Sequence, residues 1–247
     1  MESKHIARVG FYAALMTVLL TLVTFGIAYA TPPLAGPLCA SGCYTYPYTD
    51  IASRFPRDYI WIYPAILLVL VYYVLMTTIH HAAPNDKKIY SHIGLSFALI
   101  STATFVIDYF LQVSVIQPSL LLGETDGISL LTQFNAHGLF IALEEIGFFM
   151  MSLSMLFMAP TFEGRTKSEK AIRWIFVACF FLTVISFTLL SVFYGIHREY
   201  LFEIAAISIN WLTLIISGIF LSITFWRPMT DSSLTPKASL SPQKLNG

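Results

Sequence analysis

Residues 59–81 read YIWIYPAILLVLVYYVLMTTIHH, a stretch that contains no Asp, Glu, Lys or Arg. A helix needs about 20 mostly apolar residues to cross the hydrocarbon core of a bilayer. Five further stretches have the same character, namely residues 9–30, 91–116, 131–159, 172–196 and 201–226. Each of the six is followed by proline or by a polar cluster, and helices seldom continue through such signals. The sequence therefore predicts an all-α integral membrane protein, a bundle of six transmembrane helices.

The composition of the whole chain agrees with this class. Of its 247 residues, 56% are hydrophobic and 11% are charged, whereas ordinary soluble domains carry roughly 25% charged residues. So few charges cannot cover a water-facing surface of this size. The formal net charge is zero, so no general positive field attracts nucleic acid, and we expect none as a partner. The expected partner is the lipid bilayer, and the pattern does not indicate an oligomeric state.

The basic residues predict the orientation of the spans. Of the 14 Lys and Arg residues, only Arg54, Arg57 and Arg198 fall in one set of connecting segments, and the other 11 fall in the alternate set. Cytoplasmic segments carry an excess of Lys and Arg. We therefore predict that both termini are cytoplasmic and that the protein resides in a plasma or inner membrane.

The predicted domain organisation is simple. Residues 1–227 form a single transmembrane domain, and the Ser/Thr/Pro-rich residues 228–247 form a disordered cytoplasmic tail. An alternative for the first span is a signal peptide cleaved after Ala28-Tyr29-Ala30, but its apolar run is longer than the usual 7–15 residues. We favour an uncleaved first span.

The longest connection, residues 31–58, is predicted to be an outer loop and contains Cys39 and Cys43. Disulfides persist on the outer side of a membrane. A separation of four residues brings two Cα atoms within about 6–7 Å if the segment turns helically. We predict a disulfide between these cysteines, with two free thiols as the alternative.

Eight polar side chains lie within the predicted spans, where an ionisable group at the bilayer centre costs about 2.5–3.5 kcal/mol. They are Asp108 and Gln112 on the third span, Gln133, His137, Glu144 and Glu145 on the fourth, and Glu203 and Asn210 on the sixth. Helical spacing places Gln133, His137 and Glu144 within about 40° of one another, with Glu145 turned aside. Since the predicted depths are similar, we expect these stripes to line one pocket that opens to the outside. For Glu203 itself, exposure at the membrane interface is the favoured interpretation.

The sign of the charge suggests what such a pocket binds. No Lys or Arg lies within a predicted membrane core, so Asp108, Glu144 and Glu145 lack a cationic partner unless His137 is protonated. Desolvation and mutual repulsion favour the protonated form of such acids or a bound cation. The expected ligand is a proton, a cation, or a neutral lipid-like molecule that needs an acid.

Other functional signatures are absent from the sequence. There is no Walker loop, no dinucleotide-binding glycine pattern and no serine-nucleophile elbow. Asp108, His137 and Glu144 are three possible zinc ligands, but their spacing matches no zinc motif. We expect no metal and no cofactor.

Trp61 and Tyr200 are interpreted as interfacial anchors. Tyr109 is interpreted as an aromatic residue that is able to line a pocket.

Three functions remain open. The first is a small proton- or cation-coupled transporter or binding protein, with Glu144 as the central carboxylate, His137 as its partner and Asp108 as the facing acid. The second is a membrane-embedded enzyme that acts on a lipid or isoprenoid, with Glu144 or Asp108 as the proton donor. The third is a non-catalytic subunit or sensor whose polar residues only hydrogen-bond between helices.

Overall fold

The computed structural model describes residues 2–31, 34–36 and 39–230, and within these ranges it contains helices and no strand. Six of the helices are long and apolar enough to cross a membrane. This confirms the predicted all-helical fold and supports a multi-pass membrane protein. The helices are α1 (Glu2–Ala30), α2 (Ile62–Ala82), α3 (Lys88–Leu111), α4 (Gln117–Leu122), α5 (Ile128–Leu131), α6 (Leu139–Met158), α7 (Lys167–Tyr194) and α8 (Glu199–Thr230).

The six long helices form a closed ring. Each of them packs against the long helix before and after it in the chain, and α8 closes the ring by packing along α1. Helix α6 also contacts α8, whereas α7 lies at the periphery and buries little of its surface. The first turns of α1 meet the last turns of α8, where Phe11 contacts Trp226. Both described ends of the chain therefore lie at the same end of the bundle, and the 31–58 loop lies at the other end.

Two glycines allow neighbouring helices to approach closely. A Cβ atom added to Gly147 of α6 would lie 2.7 Å from the ring of Phe105 on α3. At the same position the hydroxyl of Ser101 donates a 2.8 Å hydrogen bond to the carbonyl of Gly147. On the other side of the bundle, a Cβ at Gly218 of α8 would lie 2.6 Å from Val18 of α1. Small residues at membrane helix contacts have this effect, because they let backbones come together.

The third span is longer than the predicted residues 91–116. Helix α3 continues through a π-helical turn, Gln112–Ile116, into α4, which ends at Gly123 in a left-handed conformation with φ of 75°. Pro118, expected to end the span, lies in the first turn of α4. Pro118 thus lies inside a continuous helical segment, and the π-helical turn directly before it already departs from the i→i−4 hydrogen-bond pattern that a proline interrupts.

The fourth span is shorter than the predicted residues 131–159, because α6 begins only at Leu139. Residues 132–138 are not helical. Asn135 holds this break, since its side-chain amide donates to the carbonyl of Ser129 and its side-chain oxygen accepts from the N–H of His137. A Cβ on Gly138 would lie 2.9 Å from the carbonyl oxygen of Asn135. Asn and Gly are typical of such turns.

The predicted tail, residues 228–247, is described only in part. Helix α8 extends to Thr230, so the first three residues of the predicted tail are helical. Residues 231–247, the rest of that predicted tail, lie outside the described residues. In the 31–58 loop, Cys39 and Cys43 form a disulfide with their Cα atoms 5.9 Å apart.

Candidate functional site

A cavity of about 540 Å³ lies between α1, α6 and α8, at the end of the bundle opposite the two described chain ends. The 31–58 loop and the non-helical residues 132–138 also contribute to its lining. This volume falls in the range of about 300–1,000 Å³ that is usual for small-molecule sites. The position of the cavity next to the 31–58 loop places it at the end that the charge distribution predicts to be outer.

Two glutamates from different helices meet in the wall of this cavity. Glu144 of α6 is 1% exposed and Glu203 of α8 is 9% exposed, and both line the cavity. Their carboxyl groups are close enough to hydrogen-bond to each other. Two carboxylates only accept hydrogen bonds, so this bond forms when one of the pair holds a proton. Without that proton, Oε2 of each glutamate has no hydrogen-bond partner among the described residues.

A tyrosine from the third span fixes one side of the pair. The hydroxyl of Tyr109, which is buried, donates a 2.7 Å hydrogen bond to Oε1 of Glu144. The ring of Tyr109 is held by edge contact with Trp61, with ring centroids 5.4 Å apart, and by stacking on Phe105 at 5.5 Å. The orientation of the Glu144 carboxyl group is therefore set by a packed aromatic cluster.

A third acid lies behind the pair. Asp108 of α3 is 1% exposed, and Oδ2 has no hydrogen-bond partner among the described residues. Its charge interacts with those of Glu144 and Glu203, although Asp108 does not itself line the cavity. Like charges that are close together in a medium of low dielectric constant repel strongly. The three groups therefore cannot all be ionised without a compensating proton or cation.

Two of the three arginines predicted for this side of the membrane are bound to carboxylates, and the third, Arg54, donates to the hydroxyl of Tyr44. Arg57 donates to Oδ1 of Asp58 at 2.5 Å, and Arg198 donates to both carboxylate oxygens of Glu145 at 3.1 Å. Among the described residues, no Lys, Arg or His lines the cavity. Arg57 is the partner of the lining residue Asp58, so the lining acids without a basic partner are Glu144 and Glu203.

Two glutamine side chains, Gln112 and Gln133, link the elements around the cavity by hydrogen bonds. Gln112, in the π-helical turn, donates to the carbonyl of Leu131 at 2.6 Å and accepts from the N–H of Gln133 at 3.2 Å. The side chain of Gln133 in turn donates to the carbonyl of Asp58 at 3.1 Å. The π-helical turn, the 132–138 break and the segment before α2 are thus tied together by hydrogen bonds.

The 31–58 loop closes over the same site through a glycine. Gly36 has φ of 73°, and a Cβ on it would lie 2.9 Å from the ring of Tyr200, a cavity residue at the start of α8. A side chain at this position would be strained and would displace the tyrosine. The loop therefore lies directly on the residue one helical turn before Glu203.

The structure separates the eight predicted pocket residues into two groups. Gln133, Glu144 and Glu203 line the cavity. Asp108 and Gln112 are buried next to it. Because Glu203 is buried, the interpretation that it is exposed at the membrane interface is wrong. The expected stripe of Gln133, His137 and Glu144 on one helix is also wrong, because α6 begins after the first two. His137 is exposed and does not line the cavity.

The remaining two residues make contacts within the bundle. Glu145 pairs with Arg198, so the expectation that Glu145 lacks a cationic partner is wrong: the arginine just before α8 reaches it from another part of the chain. Asn210, which is buried, donates to the carbonyl of Ala206 at 2.9 Å and accepts from the thiol of Cys179 at 3.5 Å. These polar groups are satisfied by the protein itself, which is the behaviour of residues that hold helices together.

Several cavity residues were not among the predicted site residues. Asp58 belongs to a segment assigned to the loop, and Trp61 and Tyr200 are typical of interfacial anchors by sequence. The spacing of residues in α8 could have indicated some of them: Tyr200, Glu203 and Ile207 lie on one face of this helix, and all three line the cavity. Among the described residues, no group of three His, Cys, Asp or Glu side chains has an arrangement that suits a metal ion.

No protein family, curated protein or solved structure matches this chain. A fold alone does not define a function, so the conclusion about function rests on the chemistry of the cavity.

Proposed function

We propose that this protein is a small membrane transporter or binding protein whose cavity takes up a small solute together with a proton or a cation at the Glu144–Glu203 pair. One observation carries the proposal: two almost fully buried carboxyl groups from different helices meet in the wall of a ligand-sized cavity, each with an oxygen that has no partner among the described residues. Intramembrane acids are rare and mark ion or proton pathways when they face a cavity.

The surroundings of the pair favour a change of protonation or cation occupancy. The charged groups that face it are Asp108 from α3 and, across α6, Glu145 with its partner Arg198. Tyr109 and Tyr200 complete the neighbourhood with hydroxyl groups. Because the one nearby arginine is held by Glu145, the pair gains its positive partner from a proton or from a ligand.

The protonation of the pair is measurable by infrared difference spectroscopy of the protein in lipid nanodiscs, as the pH is varied. We expect a pH-dependent C=O stretching band of protonated carboxyl groups that weakens in Glu144→Gln and in Glu203→Gln. Glu169→Gln is the matched control, since it makes the same chemical change at the opposite end of the bundle, away from the cavity, and it should keep the band. A band that both cavity variants leave unchanged would contradict the proposal.

A membrane enzyme acting on a lipid or isoprenoid is the second candidate. The observation in its favour is that a protonatable carboxyl group adjoins a cavity with mostly apolar walls, an arrangement suited to general acid catalysis. The two candidates differ in what stays bound after gentle purification. A specific neutral lipid found by native mass spectrometry in the wild type, and lost in Glu144→Gln, would favour the enzyme.

The third function, a non-catalytic subunit or sensor, accounts for some of the polar residues within the spans. Gln112, Glu145 and Asn210 have protein partners and act as contacts between elements. It leaves unexplained why Glu144 and Glu203 line a ligand-sized cavity, because a hydrogen bond that only joins two helices needs no cavity beside it.

A further inference from the structure

We propose that the solute bound in this cavity is an organic ammonium ion with an apolar body. The inference rests on the proposed function, because the positive charge of the ligand would be balanced by the Glu144–Glu203 pair. It adds the chemical class of the ligand, for which the walls of the cavity supply independent observations.

The charges of the lining select against anions. Asp58, Glu144 and Glu203 all line the cavity, and each has one buried carboxyl oxygen without a hydrogen-bond partner among the described residues. The arginine nearest to Asp58 occupies its other oxygen. A carboxylate, phosphate or sulfate group on the ligand would meet this field with no basic side chain in the lining to compensate it.

The walls select for an organic rather than a bare inorganic cation. Seven of the lining residues are aromatic. Aromatic faces attract a cation through the quadrupole of the ring, and such cages are a recurrent way to bind quaternary ammonium groups. A hard metal ion instead needs six or more oxygen ligands, and the described residues form no such group. The volume of about 540 Å³ also leaves room for an apolar body beside the charged group.

Two tryptophans of the cavity are already held in place. Trp61 packs edge-on against Tyr109 and Phe140, with ring centroids 5.4 and 6.4 Å apart. Trp211 of α8, also a lining residue, packs edge-on against Phe25 of α1 with ring centroids 5.8 Å apart. Rings held in this way lose little conformational entropy when a ligand binds, so their contacts contribute to affinity with little ordering cost.

The test measures binding of radiolabelled benzyltrimethylammonium to the full-length protein in nanodiscs by equilibrium dialysis, with protein-free nanodiscs as the background. Unlabelled benzyltrimethylammonium, neutral benzyl alcohol and anionic benzenesulfonate serve as competitors. We expect saturable binding that the unlabelled cation displaces and that the other two competitors do not. Equal displacement by benzyl alcohol would overturn the ligand class, since the charge would then be irrelevant.

Variants separate the two contributions. Glu203→Gln should weaken binding at least tenfold, whereas Glu203→Asp, which keeps the charge, should retain part of it. Glu169→Gln, at the opposite end of the bundle, should bind like the wild type. Trp211→Leu keeps an apolar wall but loses the ring, and we expect a loss of about 2- to 30-fold from the usual strength of cation–π contacts. Trp226→Leu, at the opposite end of the bundle, is its control and should have no effect. Binding that neither Glu203→Gln nor Trp211→Leu weakens would overturn the proposal.

The infrared experiment described above distinguishes the two levels of inference. If the carboxyl band still changes with pH but the cation does not bind saturably, the ligand class is overturned and the proposed function stands. Absence of both would overturn both. Folding of each variant is checked by its thermal unfolding profile, and Glu203→Asp keeps the test decisive if Glu203→Gln does not fold.

Discussion

The hydroxyl group of Tyr109 allows the charge state of the buried acid pair to be tested through stability. Tyr109 and Glu144 are both 1% exposed, and the hydroxyl donates a 2.7 Å hydrogen bond to Oε1 of Glu144. The change Tyr109→Phe removes this hydroxyl and keeps the ring with its contacts to Trp61 and Phe105. The expected loss of stability therefore comes from one hydrogen bond.

The size of that loss depends on whether Glu144 is ionised. Hydrogen bonds between membrane helices contribute about 0.6 kcal/mol on average, whereas those to a charged group contribute about 1.5–3 kcal/mol. We expect Tyr109→Phe to lower the free energy of unfolding by about 1.5–3 kcal/mol at a pH where Glu144 is ionised, and by about 0.6 kcal/mol where it is protonated. Because ionisation strengthens the bond, the loss should grow as the pH rises.

The assay is reversible unfolding in mixed micelles over a range of pH, for the wild type, Tyr109→Phe, Glu144→Gln and the double variant. In the Glu144→Gln background the acceptor cannot ionise, so Tyr109→Phe should cost about 0.6 kcal/mol at every pH. A cost that does not vary with pH in the wild-type background would refute the reasoning that Glu144 changes its protonation state. A cost of zero in both backgrounds would refute the hydrogen bond itself.

Two further predictions concern the bundle and its orientation. Gly147→Ala places a methyl group against the ring of Phe105 and should destabilise the protein by about 1–3 kcal/mol in thermal unfolding. The control is Gly26→Ala, where nothing lies within 4 Å of the added methyl group, and it should be neutral or stabilising. Equal effects of the two changes would contradict the close contact of α3 and α6. After mild reduction, a membrane-impermeant maleimide should label Cys39 and Cys43 in sealed right-side-out vesicles, as the excess of basic residues in the alternate segments predicts. Labelling only in inside-out vesicles would reverse the predicted topology.

Sequence patterns recovered the spans better than their boundaries. The central regions of all six helices follow from the lengths of the apolar stretches, yet α6 starts eight residues later than the predicted residue 131 and α4 prolongs the third span beyond Pro118. Both errors arise where the hydrogen bonding of the backbone departs from the α-helical pattern. A π-helical turn and an asparagine-stabilised break leave hydropathy almost unchanged, so a hydropathy window does not detect them.

The candidate site was only partly accessible to sequence reasoning. The polar residues of the spans stood out because each is costly in a bilayer, and Glu144, Glu203 and Gln133 do line the cavity. The partner assigned to Glu144 was His137, chosen from helical spacing along one continuous helix. Once that helix breaks at Gly138, the spacing has no meaning, and the residue that meets Glu144 is Glu203 from a different helix.

What the sequence by itself determined is the class of the protein, its six spans and the presence of acidic side chains within them. These are local properties, because the bilayer imposes a length and a polarity on each segment separately. Which of the acids meet, which are satisfied by neighbours, and that aromatic side chains surround them were decided only by the tertiary structure. Those features depend on which helices are neighbours, on how each is rotated about its axis and on where each is interrupted, and they arise from packing between segments distant in the chain.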